Sequence, residues 1–314
     1  MEITRILIYG FGRMGLTHFS ILNKLIENKE FYIVESNDRM RFLLSKNIKA
    51  KFYKDDSQLK DLFDFTLITT PPFAHLDLLQ RCLERGDKTI FVEKPFGGHL
   101  NHSFNLNTAT SEVFVGYVLR FNPCISWIKK NINISEISSI HGQYLSNTLS
   151  KRPKGWRNGN YSGVLNEMGS HVLDLLTYII EDLDLKVVQS KYESIYSDVD
   201  DILEAELESS NNLPVTLYLN WVEGNIRKPI FNIKINMSNG SYYLIDQQTI
   251  NIYNSLNVLI QKVSVTDILE NIPYYLRGID FTKQMESFIG KKQKMSSITE
   301  AAKVNRIMNE ILSK

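Results

Sequence analysis

The chain has 314 residues, with 36 Lys plus Arg against 35 Asp plus Glu and a formal net charge of +1. At roughly 150 residues per domain this length suggests about two domains, and 43% hydrophobic with 23% charged residues is an ordinary globular composition. The balanced charge excludes a mainly electrostatic nucleic-acid binder, and the apolar runs all fall short of the length of about 18 residues that would suggest a membrane span.

The chain opens Met1-Glu2-Ile3-Thr4-Arg5 and runs directly into Ile6-Leu7-Ile8-Tyr9, a strand pattern closed by Gly10. Leu16, Phe19, Leu22 and Ile26 follow at helical spacing. Residues 31–35, 65–69, 89–92 and 113–115 read as further strands, and residues 76–85 as a helix with Gly86 just past its end. Apolar strands alternating with helices predict a parallel sheet covered on both faces. After a helix over 163–180 the pattern changes. Leu203, Ala205 and Leu207 alternate with Glu204, Glu206 and Glu208, and Val215, Leu217, Leu219 and Trp221 alternate with Thr216, Tyr218 and Asn220. This period of two predicts sheet strands with one buried face. Ala301, Val304, Ile307, Met308 and Ile311 mark the inner face of a terminal helix. The expected fold is therefore α/β. Residues 1–118 are expected to form a domain on a parallel sheet, and residues 119–314 an α+β domain on a mostly antiparallel sheet.

Gly10-Phe11-Gly12-Arg13-Met14-Gly15 matches G-x-G-x-x-G between a strand and a helix. Gly10 permits a tight turn, Gly12 lets a pyrophosphate approach the backbone, and Gly15 lets the helix pack closely on the strand. Asp38 is the candidate acid for the ribose hydroxyls, with Glu35 read as lying inside the second strand. An acid here favours NAD over NADP, while Arg39 can accept a 2′-phosphate and keeps NADP open.

Glu93-Lys94-Pro95 ends the strand at 89–92, where an open α/β sheet binds its ligands. Lys94 can hydrogen-bond a reacting oxygen and steady developing negative charge on it; a surface lysine before a turn proline is the alternative. Glu167 and His171 stand four apart on one predicted helix face, with Asp174 close by. A carboxylate on one imidazole nitrogen leaves the other to exchange a proton with substrate. An exposed helix pair and a metal set are the alternatives, and no metal is expected.

These pieces together resemble the Gfo/Idh/MocA family of NAD(P)-dependent oxidoreductases. The matching stretches run in order: GFGRMG with His18 after it, Asp38, Thr69-Thr70-Pro71-Pro72 with His75, EKP at 93–95, GYVLRFNP at 116–123, Trp156-Arg157, GVLNEMGSHVLDLL at 163–176 and FTKQMESFI at 281–289. The resemblance implies a Rossmann domain joined to an open-faced sheet domain, an active site between them, and a cis Lys94–Pro95 bond. It implies that His171 is the general acid/base, that Glu167 replaces the family's usual Asp, and that Lys94 lies beside the nicotinamide. Glu93, Thr70, Pro71, Pro72 and His75 are then expected at the cofactor, and Tyr117 and Arg120 near the substrate. The implied reaction is hydride transfer between nicotinamide and a sugar-type alcohol or ketone. A dinucleotide-sensing protein without catalysis and an enzyme on a non-sugar substrate are the competing readings, and retention of both Lys94 and His171 favours an enzyme. A homodimer or homotetramer is expected, because the family's open sheet faces often pair.

Lys151, Arg152, Lys154 and Arg157 crowd together just before the His171 helix, with Trp156 and Tyr161 among them. This cluster suggests an anionic substrate such as a nucleotide sugar, with a solvated loop as the alternative. Asp198-Val199-Asp200-Asp201 reads as a solvated turn. Cys82 and Cys124 read as packing residues, and a cysteine count of two fits a reducing cytoplasm.

Overall fold

The computed structural model describes residues 2–97, 111–159, 161–181, 183–268, 274–290 and 293–314. The chain divides into two compact units, Met1–Val118 with Ile272–Ala301, and Leu119–Asn271 with Ala302–Lys314.

The first unit begins β1 (Thr4–Tyr9), α1 (Arg13–Leu25), β2 (Lys29–Val34), α2 (Asp38–Asn47), β3 (Lys51–Tyr53), β4 (Phe65–Ile68), α3 (His75–Arg85), β5 (Thr89–Val92) and β6 (Glu112–Val115). These six strands are parallel in the order β6-β5-β4-β1-β2-β3. The order reverses between β1 and β4, which opens a crevice outside their carboxyl ends. Ile6, Leu7 and Ile8 of β1 and Ile90, Phe91 and Val92 of β5 are fully buried, as strands covered on both faces require. Each such side chain contributes about 1.5–3 kcal/mol on burial. On α1 the buried stripe is Gly15, Phe19 and Leu22, whereas Leu16 is 43% exposed, against expectation. The turn starts the helix at Arg13 and Gly15 must face the sheet, so Leu16 points about a quarter-turn away.

The second unit contains α4 (Pro123–Asn131), β7 (Ile137–Leu145), α5 (Ser170–Ile179), β8 (Leu185–Glu193), β9 (Ile202–Ser209), β10 (Pro214–Asn220), β11 (Ile230–Met237), β12 (Tyr242–Ile245), β13 (Thr249–Tyr253), β14 (Leu259–Ser264) and α6 (Val265–Ile268). Its eight strands form one sheet in the order β14-β13-β12-β11-β7-β10-β9-β8. All neighbours are antiparallel except β7 and β10. The register places Val215, Leu217 and Leu219 of β10 opposite Leu207, Ala205 and Leu203 of β9, on one buried face. The period of two in the sequence is this face.

The chain then returns to the first unit with α7 (Ile279–Gly290) and β15 (Ser296–Ser297), and ends in α8 (Ile298–Ser313). α7 packs on α1, with Phe288 against Phe65 and Phe91. β15 joins the edge of β6 in the antiparallel sense. This corrects the assignment of all of 119–314 to one domain. A change of strand pattern marks where the chain first leaves a domain and carries no mark of a return. All five predicted inward residues of α8 are buried.

Candidate active site

The turn between β1 and α1 has the geometry its glycines suggest. Gly10 has φ +78°, in the left-handed region. A Cβ on Gly15 would lie 2.2 Å from the Gly10 carbonyl oxygen and 2.8 Å from Thr69 Oγ1. A Cβ on Gly12 would meet nothing within 4 Å. Gly15 is thus glycine for packing, and Gly12 borders open space. The first turn of α1 carries no acidic residue, and Gly12 offers no side-chain cap. Its N–H groups and positive dipole end therefore suit an anion, and the residues fit a dinucleotide. Phe11 contributes only backbone here, because its ring is buried against Phe19 and Phe52. Arg13 is exposed and Met14 half-buried.

β2 ends at Val34, so Glu35 is outside the strand, which corrects its placement. Its carboxylate accepts the Phe11 N–H at 3.0 Å and the Asn37 N–H at 2.9 Å. Asp38 opens α2, fully exposed, and pairs with Arg41, which holds its carboxyl below the usual range. Arg39 is exposed beside it. The sequence contained the signal for Glu35, since it lies nearer than Asp38 to the usual spacing of about 20 residues from the glycines.

β4 and β5 supply the neighbouring edge of the crevice. Thr69 Oγ1 donates to the Gly10 carbonyl at 2.6 Å. Thr70 and Lys94 are half-buried, Pro71 is exposed and Pro72 is buried. His75 is fully buried, with Nε2 2.8 Å from the Thr70 carbonyl and Nδ1 3.2 Å from that of Pro95. Burial pushes its pKa down, and its two ring nitrogens face the two carbonyls. His75 therefore ties the β4 loop to the turn after β5 from behind. This corrects its expected place against the cofactor. Glu93 is likewise buried, with Oε1 2.8 Å from Nε2 of buried His18 and Oε2 accepting the Lys94 N–H at 3.3 Å. Glu93 fixes the backbone that presents Lys94, and the Lys94–Pro95 bond is cis. Tyr117 is 1% exposed.

In the second unit the predicted single helix is two elements. A π-helical turn, Leu165–Gly169, precedes α5 and carries Glu167; His171 is the second residue of α5. Both side chains are half-buried. A π turn carries more residues than an α turn, so the simple four-residue spacing argument does not describe this segment. Its start is held by Asp200, whose carboxylate accepts the Leu165 N–H at 2.7 Å and whose carbonyl accepts the Val164 N–H at 2.7 Å. A Cβ on Gly163 would fall 1.9 Å from Asp200 Oδ1. Burial pushes the Asp200 carboxyl up to about 7. Asp201 is fully buried and accepts from the backbone N–H groups of Ile195, Tyr196 and Ser197 and from Trp221 Nε1. Asp200 and Asp201 are therefore buried, and Asp200 anchors the site segment, which corrects the solvated-turn reading for these two residues, while Asp198 is exposed as expected.

The basic cluster meets acids from elsewhere in the unit. Arg152 pairs with Asp198, which also accepts from Asn158 Nδ2 at 2.7 Å. Arg157 Nε lies 3.6 Å from Glu167 Oε1. Lys151 and Lys154 are exposed, and the Trp156 side chain lies outside the described residues. Arg120 is fully buried, bonded to Asp174 at 2.8 and 2.6 Å and stacked on the Tyr178 ring. This corrects its expected substrate role: its guanidinium lies in a buried ion pair that occupies Asp174 as well. Among the described residues no cluster of ligands suits a metal.

Two family models match this chain. Residues 4–114 match the oxidoreductase family with the NAD-binding Rossmann fold, and residues 130–243 match the GFO/IDH/MocA C-terminal domain. The chain belongs to the Gfo/Idh/MocA oxidoreductase family. Curated relatives include an inositol 2-dehydrogenase of Arthrobacter sp. (strain FB24), 25% identical over 189 residues, covering 56% of this chain and 54% of the relative. A glucose-6-phosphate 3-dehydrogenase of Bacillus subtilis is 22% identical over 186 residues, covering 55% and 53%. The matched stretch thus spans about half the length of these relatives. Among solved structures, levoglucosan dehydrogenase in complex with NADH has a TM-score of 0.81 at 16% identity, covering 99% of this chain and 96% of that one. That likeness confirms the fold of this Gfo/Idh/MocA chain.

Proposed function

We propose that the chain is an NAD-dependent oxidoreductase acting on a secondary alcohol or ketone of a sugar-type substrate. The observation that carries this reading is the turn after β1, where Gly15 is closed by packing and Gly12 borders open space at the start of an uncapped helix. A bound nicotinamide dinucleotide supplies the hydride acceptor or donor. The backbone of residues 10–15 would hold its pyrophosphate. Glu35, with Asp38 and Arg39 beyond it, would lie on the adenosine ribose side, and Thr70, Pro71 and Pro72 towards the nicotinamide. The acid at the turn favours NAD, and Arg39 leaves NADP a place.

In this reading Lys94 hydrogen-bonds the reacting oxygen and stabilises negative charge on it. His171 takes the hydroxyl proton or returns it, and Glu167 orients the imidazole. The relatives named for inositol and glucose 6-phosphate support a polyol or sugar substrate. Lys151, Arg152, Lys154 and Arg157, with Trp156 as a further candidate, favour one carrying phosphate, including a nucleotide-linked sugar.

The test is NADH formation from NAD across a panel of inositol, glucose 6-phosphate, levoglucosan and nucleotide sugars. Turnover of at least one is expected, abolished in Lys94→Ala while that variant still binds NADH. NADH binding with no turnover by the wild type would favour a dinucleotide-sensing protein. Replacing Arg152 and Arg157 together by Ala should raise KM more for a phosphorylated sugar than for a neutral one; equal effects would reject an anionic substrate.

A homodimer or homotetramer is part of the same proposal. His141, Gln143, Lys191, Glu204, Tyr218 and Lys234 border a concavity of about 870 Å³ on the less buried face of the eight-stranded sheet, and light scattering would read the assembly. Among the described residues no helix is long and apolar enough to cross a membrane. The two buried cysteines, Cys82 and Cys124, support a cytoplasmic location.

A further inference from the structure

Most arginines of this chain sit against a carboxylate, as Arg41 does with Asp38, Arg85 with Asp87 and Arg306 with Asp184. Among the described residues Arg13, Arg39, Arg227 and Arg277 show no such ion pair, and of these Arg13 and Arg277 both lie at the start of α1 in the first unit. Arg13 is the first residue of α1, where a positive side chain opposes the positive end of the helix dipole. Arg277 lies in the returning segment, just before α7. Its Nη1 is 3.2 Å from Sδ of Met14, the second residue of α1. Its guanidinium lies 5.1 Å from the centroid of the Phe281 ring, and that ring is 6.4 Å from the ring of His18 on α1. Residue 277 takes φ +61°, which few non-glycine residues adopt. Aromatic packing and a methionine thus hold an exposed arginine at the opening of the glycine-turn helix, where among the described residues no carboxylate forms an ion pair with it.

We propose that Arg277 is a dinucleotide-binding residue that, together with Arg13, contacts the pyrophosphate at the start of α1. The inference rests on the dinucleotide reading of the glycine turn and adds a residue from the far end of the chain to it. Two guanidiniums beside an uncapped helix start, neither in an ion pair among the described residues, form a positive site, and a diphosphate is an anion whose charge complements it. The electrostatics agree: burial lowers the Arg277 pKa, Arg13 lowers it further, and Glu93 raises it. Arg277 is thus within electrostatic reach of both Arg13 and the base of the Lys94 turn. It donates a fork suited to phosphate oxygens, which a lysine matches only as a point charge.

The test measures the Kd of the full-length protein for NADH by fluorescence and for ADP-ribose by calorimetry. ADP-ribose keeps the pyrophosphate and lacks nicotinamide. Arg277→Ala is expected to weaken both by about tenfold, as loss of one charge-assisted contact would. Arg277→Lys should recover part of that loss, which a merely misfolded Ala variant could not explain. Arg227→Ala, on an exposed loop of the second unit, should match wild type. Unchanged affinity of Arg277→Ala for both ligands overturns the proposal. So does a loss for NADH alone, which would move Arg277 to the nicotinamide end. A wild-type protein that binds neither ligand overturns the dinucleotide reading and this inference with it.

Discussion

The turn after β1 and the segment from Lys151 to His171 both look, in sequence, like local concentrations of function. They differ in structure. In the turn, the chemistry is made by the backbone of six consecutive residues, and the strand and helix on either side fix its geometry. In the second segment, the chemistry depends on charges, and charges find partners across the fold. Arg152 reaches Asp198, Arg157 reaches Glu167, and the start of the π turn is held by Asp200. A backbone motif can therefore be read locally, whereas a charge cluster cannot be assigned until its counter-charges are known.

The largest expected effect concerns a charge that proved structural. Arg120→Ala strands a fully buried Asp174 carboxylate and should cost about 3–5 kcal/mol. Denaturant unfolding measures it. Replacing Arg120 by Met and Asp174 by Leu together should cost much less, because no unpaired charge then stays buried. Equal losses in the single and double variants would show that packing rather than charge makes this site matter.

The two glycines of the turn sharpen the comparison next. Gly15→Ala forces a Cβ to within 2.2 Å of the Gly10 carbonyl oxygen and should cost about 1–3 kcal/mol of stability. Gly12→Ala meets nothing within 4 Å and should leave thermal unfolding unchanged while weakening NADH binding. If Gly12→Ala unfolds as early as Gly15→Ala, the open space beside Gly12 is not a ligand site.

A further effect, read as a change of stability with pH, lies at Asp200. Burial sets its folded pKa at about 7 against the usual 3.8, so the folded chain binds this proton more tightly than the unfolded one. The Asp200 contribution to stability is complete below about pH 4 and is lost as pH rises towards 7. Asp200→Asn keeps an acceptor for the Leu165 N–H and does not titrate. Its stability should therefore fall less than that of wild type between about pH 5 and pH 8 in urea unfolding. An equally steep fall in both proteins would place the titration elsewhere.

Much of the fold was legible because its signals are periodic or local. The fully apolar β1 and β5, the alternation in β9 and β10, and the glycine turn each carry their meaning within a few residues. The exposed Leu16 was not legible, because the phase of α1 is set by Gly15 packing on the Gly10 carbonyl. Glu35 was misplaced by one residue of strand end, and that residue decides whether its carboxylate meets the turn. His75 and Arg120 were named from motifs, and burial turned both into supports for other groups.

The sequence by itself determined the alternating strand pattern, the period-two sheet and the residues of the glycine turn, because nearest-neighbour geometry dictates these, and the order of its motifs carried the family resemblance. Only the tertiary structure decided that residues 272–301 return to the first unit, that a buried Asp200 holds the start of the segment carrying Glu167 and His171, and that Arg277 stands against Met14 of α1. Each of these joins residues far apart in the chain. Such contacts follow from how helices and strands pack, and no local pattern of residue types records which distant side chain will be the partner.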